Sequence, residues 1–272
     1  MAKTTMSTVD KALTLLRHFS VQRAELGLSE LARLAGYDKT TTLRCMTALE
    51  RNGFVEQDAR SRKYRLGLAP LNLAQIREQS FPMRSVIRRH VEDLARSLGE
   101  TAHGTLLMAG EPMTVAISAP ARALFVHVDP SGVLPWHATA SGIAIMAFLP
   151  EATRTEILEG RPLEPFTAHT PKSRAKVEAL IGTCREEGLA RARATYEDDV
   201  IGTAAPIFGP AGTSIGAVAV AALALRFSAD LQGRIDDALR RAARTITREV
   251  GGVPPETAPS PEDTHHAAHE LS

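Results

Sequence analysis

Cysteine is nearly absent: Cys45 and Cys184 are the only two in 272 residues. They are too few and too far apart to build a disulfide scaffold or a cysteine-rich zinc site. Long hydrophobic runs are missing as well. The most apolar stretch, Ile215 to Leu225, is about half of the ~20 residues that a membrane-spanning helix needs, and alanine and glycine dilute it. The first residues do not follow the charged, apolar, small-residue order of a secretory signal. These absences lead us to expect a protein of the reducing cytoplasm with no membrane partner. Signatures of catalysis and nucleotide binding are lacking too: there is no Gly-x-Ser-x-Gly elbow, no P-loop and no dinucleotide-binding glycine run. No enzyme activity, no cofactor and no metal is expected.

Charge is close to balanced overall, at +1, but unevenly placed. The first 66 residues carry +5 and the remainder −4. A small basic module joined to an acidic body is the simplest division of a chain this long, whose 44% hydrophobic residues suffice for two cores. Clustered Lys and Arg release counterions from a phosphate backbone, which points to a polyanion partner; a solvated charged surface is the competing reading.

Helical spacing in the basic module begins after Ser7 or Thr8, with apolar Val9, Ala12, Leu13, Leu16 and Phe19 predicted to face the core. Ser29, also a candidate DNA contact, is positioned to cap a short second helix, Glu30 to Ala35, which Gly36 ends. Asp38 can cap a third helix, Lys39 to Asn52, with Leu43, Met46 and Leu49 as its predicted buried stripe. Two helices joined by a tight glycine-containing turn form a helix-turn-helix pattern. Lys39, Thr40, Thr41, Thr42 and Arg44 open the third helix with short hydroxyl side chains and cations, suited to phosphates and base edges at a helix N-terminus. Extended segments 54–57 and 63–66 follow. The turn between them carries Arg60 and Arg62, and with Lys63, Tyr64 and Arg65 it makes a basic hairpin, the expected wing.

Taken singly, the threonines are an ordinary helix start and the hairpin an ordinary charged turn. Their order within the first 66 residues is the specific signal. Val9 to Leu16, Leu28 to Ala32, Lys39 to Arg44 and Lys63 to Gly67 resemble the DNA-binding half of the IclR-type transcriptional regulators. Leu134 to Gly142, Glu187 to Ala190, Gly202 to Ile207 and Gly216 to Val220 extend that resemblance through the second half. It implies an α+β protein: an N-terminal winged helix-turn-helix domain (residues 1–67), a linker helix (68–82) and a C-terminal GAF-like effector-binding domain (83–250) with a mainly antiparallel sheet. Double-stranded operator DNA, a small organic effector and a second copy of the chain, as homodimer or homotetramer, are the implied partners. Leu71, Leu73, Ala74 and Ile76 of the linker are available to a partner chain.

The second domain itself reads as an amphipathic helix from Met83 to Leu98, then strands over 102–108, 113–118 and 124–128. A helix over 141–149 and another over 173–187 follow. Strands over 189–196, 203–208 and 214–225 and a closing helix over 228–250 complete it. The tail, 251–272, has little apolar surface to bury and is predicted to be disordered. Its His265, His266 and His269 have no fixed geometry that would make them metal ligands, and Glu197, Asp198 and Asp199 read better as a surface loop than as a cation site.

In relatives the effector cavity lies between the sheet and the segment matched here by residues 137 to 146. The resemblance therefore implies His137, Thr139, Ala140, Ser141, Gly142, Ile143 and Met146, with Gly202, Thr203, Ala219 and Ala221 from the strands. Thr139, Ser141 and Gly142 would offer hydroxyl and N–H groups to a ligand oxygen, and Ile143 and Met146 an apolar wall. His103 and His127 are either polar ligand contacts or buried structural histidines. His137, four residues before Ser141, also invites a serine–histidine reading, which sequence proximity alone does not establish. The chain departs from the family pattern at Arg191 to Thr195, and at Ala219 and Ala221, where some relatives carry acidic or hydroxyl side chains. A ligand larger or more apolar than a small keto acid is therefore expected. The competing function is a metabolite-binding module or enzyme using its helix-turn-helix for protein contact; a constitutive architectural DNA binder is the third reading.

Overall fold

The structure, a computed structural model, describes residues 7–20, 23–80, 82–129 and 132–255. The chain divides into two compact units, Met1–Phe81 and Pro82–Ser272.

In the first unit, α1 (Thr8–Leu16) starts from a capping box: the Ser7 hydroxyl accepts the Asp10 N–H, and the Asp10 carboxylate accepts the Ser7 N–H. Helix α2 (Leu28–Ala35) starts two residues earlier than expected, with Gly27 at the cap, so Ser29 lies inside the first turn and caps nothing. Gly36, at φ 69°, closes α2 in the left-handed conformation that a side chain would disfavour. Helix α3 (Lys39–Arg51) is capped by Asp38 as expected. Strands β1 (Val55–Gln57) and β2 (Tyr64–Leu66) pair antiparallel, and α4 (Ala69–Ser80) follows.

The core of this unit differs from the predicted one in an instructive way. Leu15, Leu26, Leu31, Met46, Val55 and Tyr64 are buried together, whereas Val9, Leu13 and Leu43 are 66%, 50% and 46% exposed. Each helix carries more apolar positions than one packed face accommodates. On α3 the inward face is Thr42, Cys45, Met46 and Leu49, and Leu43 falls on the flank of the helical wheel, outside that face.

The second unit is a five-stranded antiparallel sheet in the order β4-β3-β7-β6-β5. Its strands are β3 (Thr101–Met108), β4 (Glu111–Ser118), β5 (Ala190–Arg193), β6 (Val200–Phe208) and β7 (Ser214–Leu223). Alternation along the strands makes two cores. Ala102, Leu106, Ala205, Ile207, Val218 and Val220 pack with α5 (Met83–Leu98) and α9 (Ala229–Glu249). Ala190, Ala204, Ala217 and Ala219 pack on the other face with α6 (Ala140–Ala147) and α8 (Arg174–Glu187). Among the described residues no helix is long and apolar enough to cross a membrane.

Residues 124–128 form no strand. The segment is tethered instead by side chains: the Thr101 hydroxyl donates to the Val126 carbonyl at 2.7 Å, and Arg226, paired with the buried Glu100, donates to the Leu124 carbonyl. The strand expected over 189–196 ends at Arg193, because Ala194 turns left-handed at φ 53°. The helix α7 (Glu151–Gly160) had no counterpart in the sequence reading. At the C-terminus the described chain continues past 250. The Gly252 N–H donates to the Thr247 carbonyl and the Val253 N–H to Gly209, so the first residues of the predicted tail are hydrogen-bonded. Residues 256–272, including His265, His266 and His269, lie outside the described residues.

Candidate DNA interface and effector cavity

On the recognition side of α3, Lys39, Thr40 and Arg44 are exposed as expected, joined by Thr47 and Arg51, which the sequence reading passed over. Helical periodicity extended from Thr40 would have found both, since positions 40, 44, 47 and 51 share a face. Thr41 and Thr42 do not belong with them. The Thr41 hydroxyl donates to the Asp38 carboxylate at 2.7 Å, and Thr42, fully buried, donates to the Asp38 carbonyl at 2.9 Å. These two hydroxyls finish the cap. Hydrogen bonds from Thr41, first its N–H and then its hydroxyl, hold the Asp38 carboxyl below its usual pKa.

The hairpin tip is built on Asp58, whose carboxylate accepts the Arg60 and Ser61 N–H groups at 3.1 and 2.6 Å. Arg62 takes the left-handed conformation at φ 59°, and Gln57 clasps its carbonyl. Arg60, Arg62 and Lys63 are thereby displayed to solvent. Arg65 is exposed but paired with Glu56 across the hairpin. Tyr64 is not a surface residue: it is 3% exposed and belongs to the core. The position faces inward because β2 alternates, Tyr64 in and Arg65 out.

A cavity of about 290 Å³ opens in the second unit where the N-terminus of α6 meets the sheet. Its floor is His103, Ala192, Gly202, Ala219 and Ala221, and Thr139, Ala140 and Ser141 form one wall. Val126, His127 and Val128 of the tethered segment form another, and Thr195, Tyr196 and Glu197 stand beyond the turn at Ala194. Close packing positions the α6 wall: a Cβ on Gly142 would stand 2.3 Å from the Trp136 carbonyl oxygen, so only glycine lets α6 start here.

His103 is the most perturbed group in the cavity. Burial pushes its imidazole down to a pKa of about 4, so it is neutral at physiological pH. Its Nε2 lies 3.3 Å from the Ser141 hydroxyl, while Nδ1 is buried without a partner. The serine–histidine contact therefore exists, but with His103 rather than His137. Other polar groups are already engaged. The Thr139 hydroxyl accepts the Gly142 N–H and donates to the Pro135 carbonyl, and the Thr195 hydroxyl donates to the Ala138 carbonyl. The Gly142 N–H is thus spent on the helix cap. The Ala140 and Ser141 N–H groups, in the first turn of α6, have no intrahelical acceptor. Among the described lining residues, Asp129 and Glu197 are acidic and none is Lys or Arg.

Five expected residues lie elsewhere. Ile143 and Met146 are buried in the core between α6 and α8. Thr203 follows Gly202 on β6 and so faces α9, not the cavity. Gly142 sits under Trp136. His137 bonds to the Glu164 carbonyl at 2.9 Å and borders a separate cavity of about 230 Å³ beside Trp136 and Phe166. Conversely, of the walls at 126–129, 132–134 and 195–197 only His127 was expected; these residues come from segments whose path depends on tethers and turns rather than on periodicity.

A helix-turn-helix with a basic hairpin, followed by an α+β domain enclosing a ligand-sized cavity, defines a ligand-responsive DNA-binding regulator. Residues 8–59 match the IclR helix-turn-helix domain, and residues 77–248 match the family described as bacterial transcriptional regulator IclR C-terminal. A glycerol operon regulatory protein of Streptomyces griseus is 30% identical over 249 residues, 90% of this chain and 97% of that protein. A crystal structure of an IclR-type regulator from Silicibacter sp. TM1040 superposes with a TM-score of 0.87 at 39% identity, covering 93% of this chain and all of that one. An IclR homologue from Microbacterium hydrocarbonoxydans, crystallised with 4-hydroxybenzoate, has the same fold at a TM-score of 0.69 and 23% identity, covering 90% and 99%. The chain belongs to the IclR family of transcriptional regulators. It is a DNA-binding regulator whose C-terminal half is an effector-binding domain.

Proposed function

We propose that the cavity at the N-terminus of α6 takes the effector, and that this effector is a neutral organic molecule carrying a hydroxyl group on an apolar body. The observation that carries this reading is the lining: alanine and valine surfaces around the His103–Ser141 pair, the Glu197 carboxylate, and neither Lys nor Arg among the described lining residues. A ligand carboxylate would stand near the Glu197 carboxylate in a partly desolvated site, with no Lys or Arg among the described lining residues to pair it. A ligand hydroxyl is served in either direction by the Ser141 hydroxyl, which can donate or accept according to the tautomer of His103. The Ala140 and Ser141 N–H groups then meet the ligand's oxygen.

Catalysis is not part of this reading. His103 is a poor base at neutral pH and has no orienting acid at Nδ1. The DNA contacts proposed are Lys39, Thr40 and Arg44 on α3 and Arg60, Arg62 and Lys63 on the hairpin. A homodimer or homotetramer in the cytoplasm is the working assembly, supported by the exposed apolar Leu71, Leu73 and Ile76 of α4.

Thermal denaturation of the full chain with matched probes tests the effector class: glycerol against glycerate, and 4-hydroxybenzyl alcohol against 4-hydroxybenzoate. Within a pair that binds, the neutral member raises Tm more. Greater stabilisation by the acid overturns the proposal.

A further inference from the structure

The outward face of α3 has two edges of different chemistry. With about 100° of rotation per residue, Thr40, Leu43 and Thr47 form one edge, and Arg44 and Arg51 the other. All five are exposed. The cationic edge is what a phosphate-lined groove calls for. Leu43 is not: it is a leucine, 46% exposed, at the margin of the polar face of a 13-residue helix. It has no place in the core, because the inward face is filled by Thr42, Cys45, Met46 and Leu49. The neighbouring Thr41 and Thr42 are turned back into the Asp38 cap, so Leu43 stands clear of them.

We infer that Leu43 is a base-reading residue, packing its isobutyl group on the 5-methyl group of a thymine in the operator's major groove. This rests on the reading of α3 as the helix that enters the groove. Thymine is the only base that presents an apolar group there, and apolar side chains and threonine methyls are its partners. Thr40 and Thr47, on either side of Leu43 along the edge, extend that apolar strip. Leu43 is the fifth residue of the helix, within the N-terminal half that approaches base edges in helix-turn-helix proteins. The operator half-site therefore carries a specified T·A pair beside the position that Arg44 contacts.

In vitro selection from random duplexes with the full chain tests this, run in parallel on wild type, Leu43→Ala and Arg44→Ala. Leu43 is exposed, so its truncation leaves the fold intact. Wild type should select a thymine that Leu43→Ala no longer specifies, with the other positions unchanged. Replacing that thymine by deoxyuracil, which removes the methyl alone, should weaken wild type about fourfold per half-site and leave Leu43→Ala unaffected. An identical motif and identical deoxyuracil sensitivity in Leu43→Ala overturns the inference. If Arg44→Ala alters the motif in that case, the recognition helix stands and Leu43 alone is misassigned; if neither changes it, the placement of α3 in the groove falls as well.

Discussion

The Ser141 hydroxyl on α6 and His103 Nε2 on β3 lie 3.3 Å apart, joining the helix that walls the cavity to the strand that floors it. Beside them β6 and β7 offer Gly202, Ala219 and Ala221, side chains too small to reach across. In the proposed reading the pair is the polar anchor in an apolar cup, and a ligand seated there touches both layers of the domain at once. Such contact is how an effector favours one arrangement of helix and sheet over another, provided that its affinity differs between them.

Removing the hydroxyl should cost binding and little else. Ser141→Ala leaves α6 capped by Thr139 and strips the partner from Nε2. Calorimetry with whichever neutral probe binds should show a loss of ~0.5–1.5 kcal/mol. Affinity equal to wild type would place the ligand away from this pair.

The same histidine predicts an acid limb in stability. Its pKa is about 4 in the folded protein against an ordinary value near 6.5, so between those values the unfolded chain binds more protons and stability rises with pH. The contribution is complete above pH 6.5 and is lost progressively down to pH 4, roughly 3 kcal/mol over the interval. Urea unfolding of His103→Gln from pH 4 to 7 should show a flatter profile than wild type. Parallel profiles would mean that His103 titrates normally.

How much of this was legible beforehand depends on the kind of signal. Periodicity and capping residues located α1, α3, α5, α8 and α9 and the five strands of the sheet, though they also marked 124–128, which forms none; spacing and cap chemistry are local. Facing was less legible. Val9, Leu13 and Leu43 are as apolar as the residues that went inside, and only packing decides among them. Met146 was expected in the cavity wall and is in the core, because α6 is buried on all sides and its sequence has no polar stripe to mark which face is open. Tyr64 lost its expected surface role to strand alternation. Tyr196 and Glu197 reached the cavity through the left-handed turn at Ala194, a conformation that alanine does not advertise.

The hairpin and the helix should separate in their salt dependence. Arg62→Ala and Lys63→Ala each remove an exposed cation at the hairpin and should lower the slope of log K against log salt by about 1. Arg44→Ala should instead cost ~1–3 kcal/mol on the specific site if it meets a base. Tyr64→Phe, a core change, should leave DNA affinity alone. Fluorescence anisotropy at several salt concentrations measures all four.

Assembly is tested on α4. Leu73 and Ile76 are 53% and 52% exposed in the single chain. Replacing both by Glu should shift the protein toward monomer in light scattering and weaken operator binding, with unfolding of the second unit unchanged. A double variant that remains fully oligomeric would move the interface off α4.

The most direct test of effector control through the cavity is operator anisotropy during titration with small molecules extracted from the source cells and divided by ion exchange into neutral and anionic fractions. Ala221→Leu, which fills the cup from the floor, serves as the control. We expect the neutral fraction to change wild-type operator affinity at least about fivefold and to leave Ala221→Leu unresponsive while it still binds the operator. A response to the anionic fraction, or an equal response in Ala221→Leu, would contradict the account.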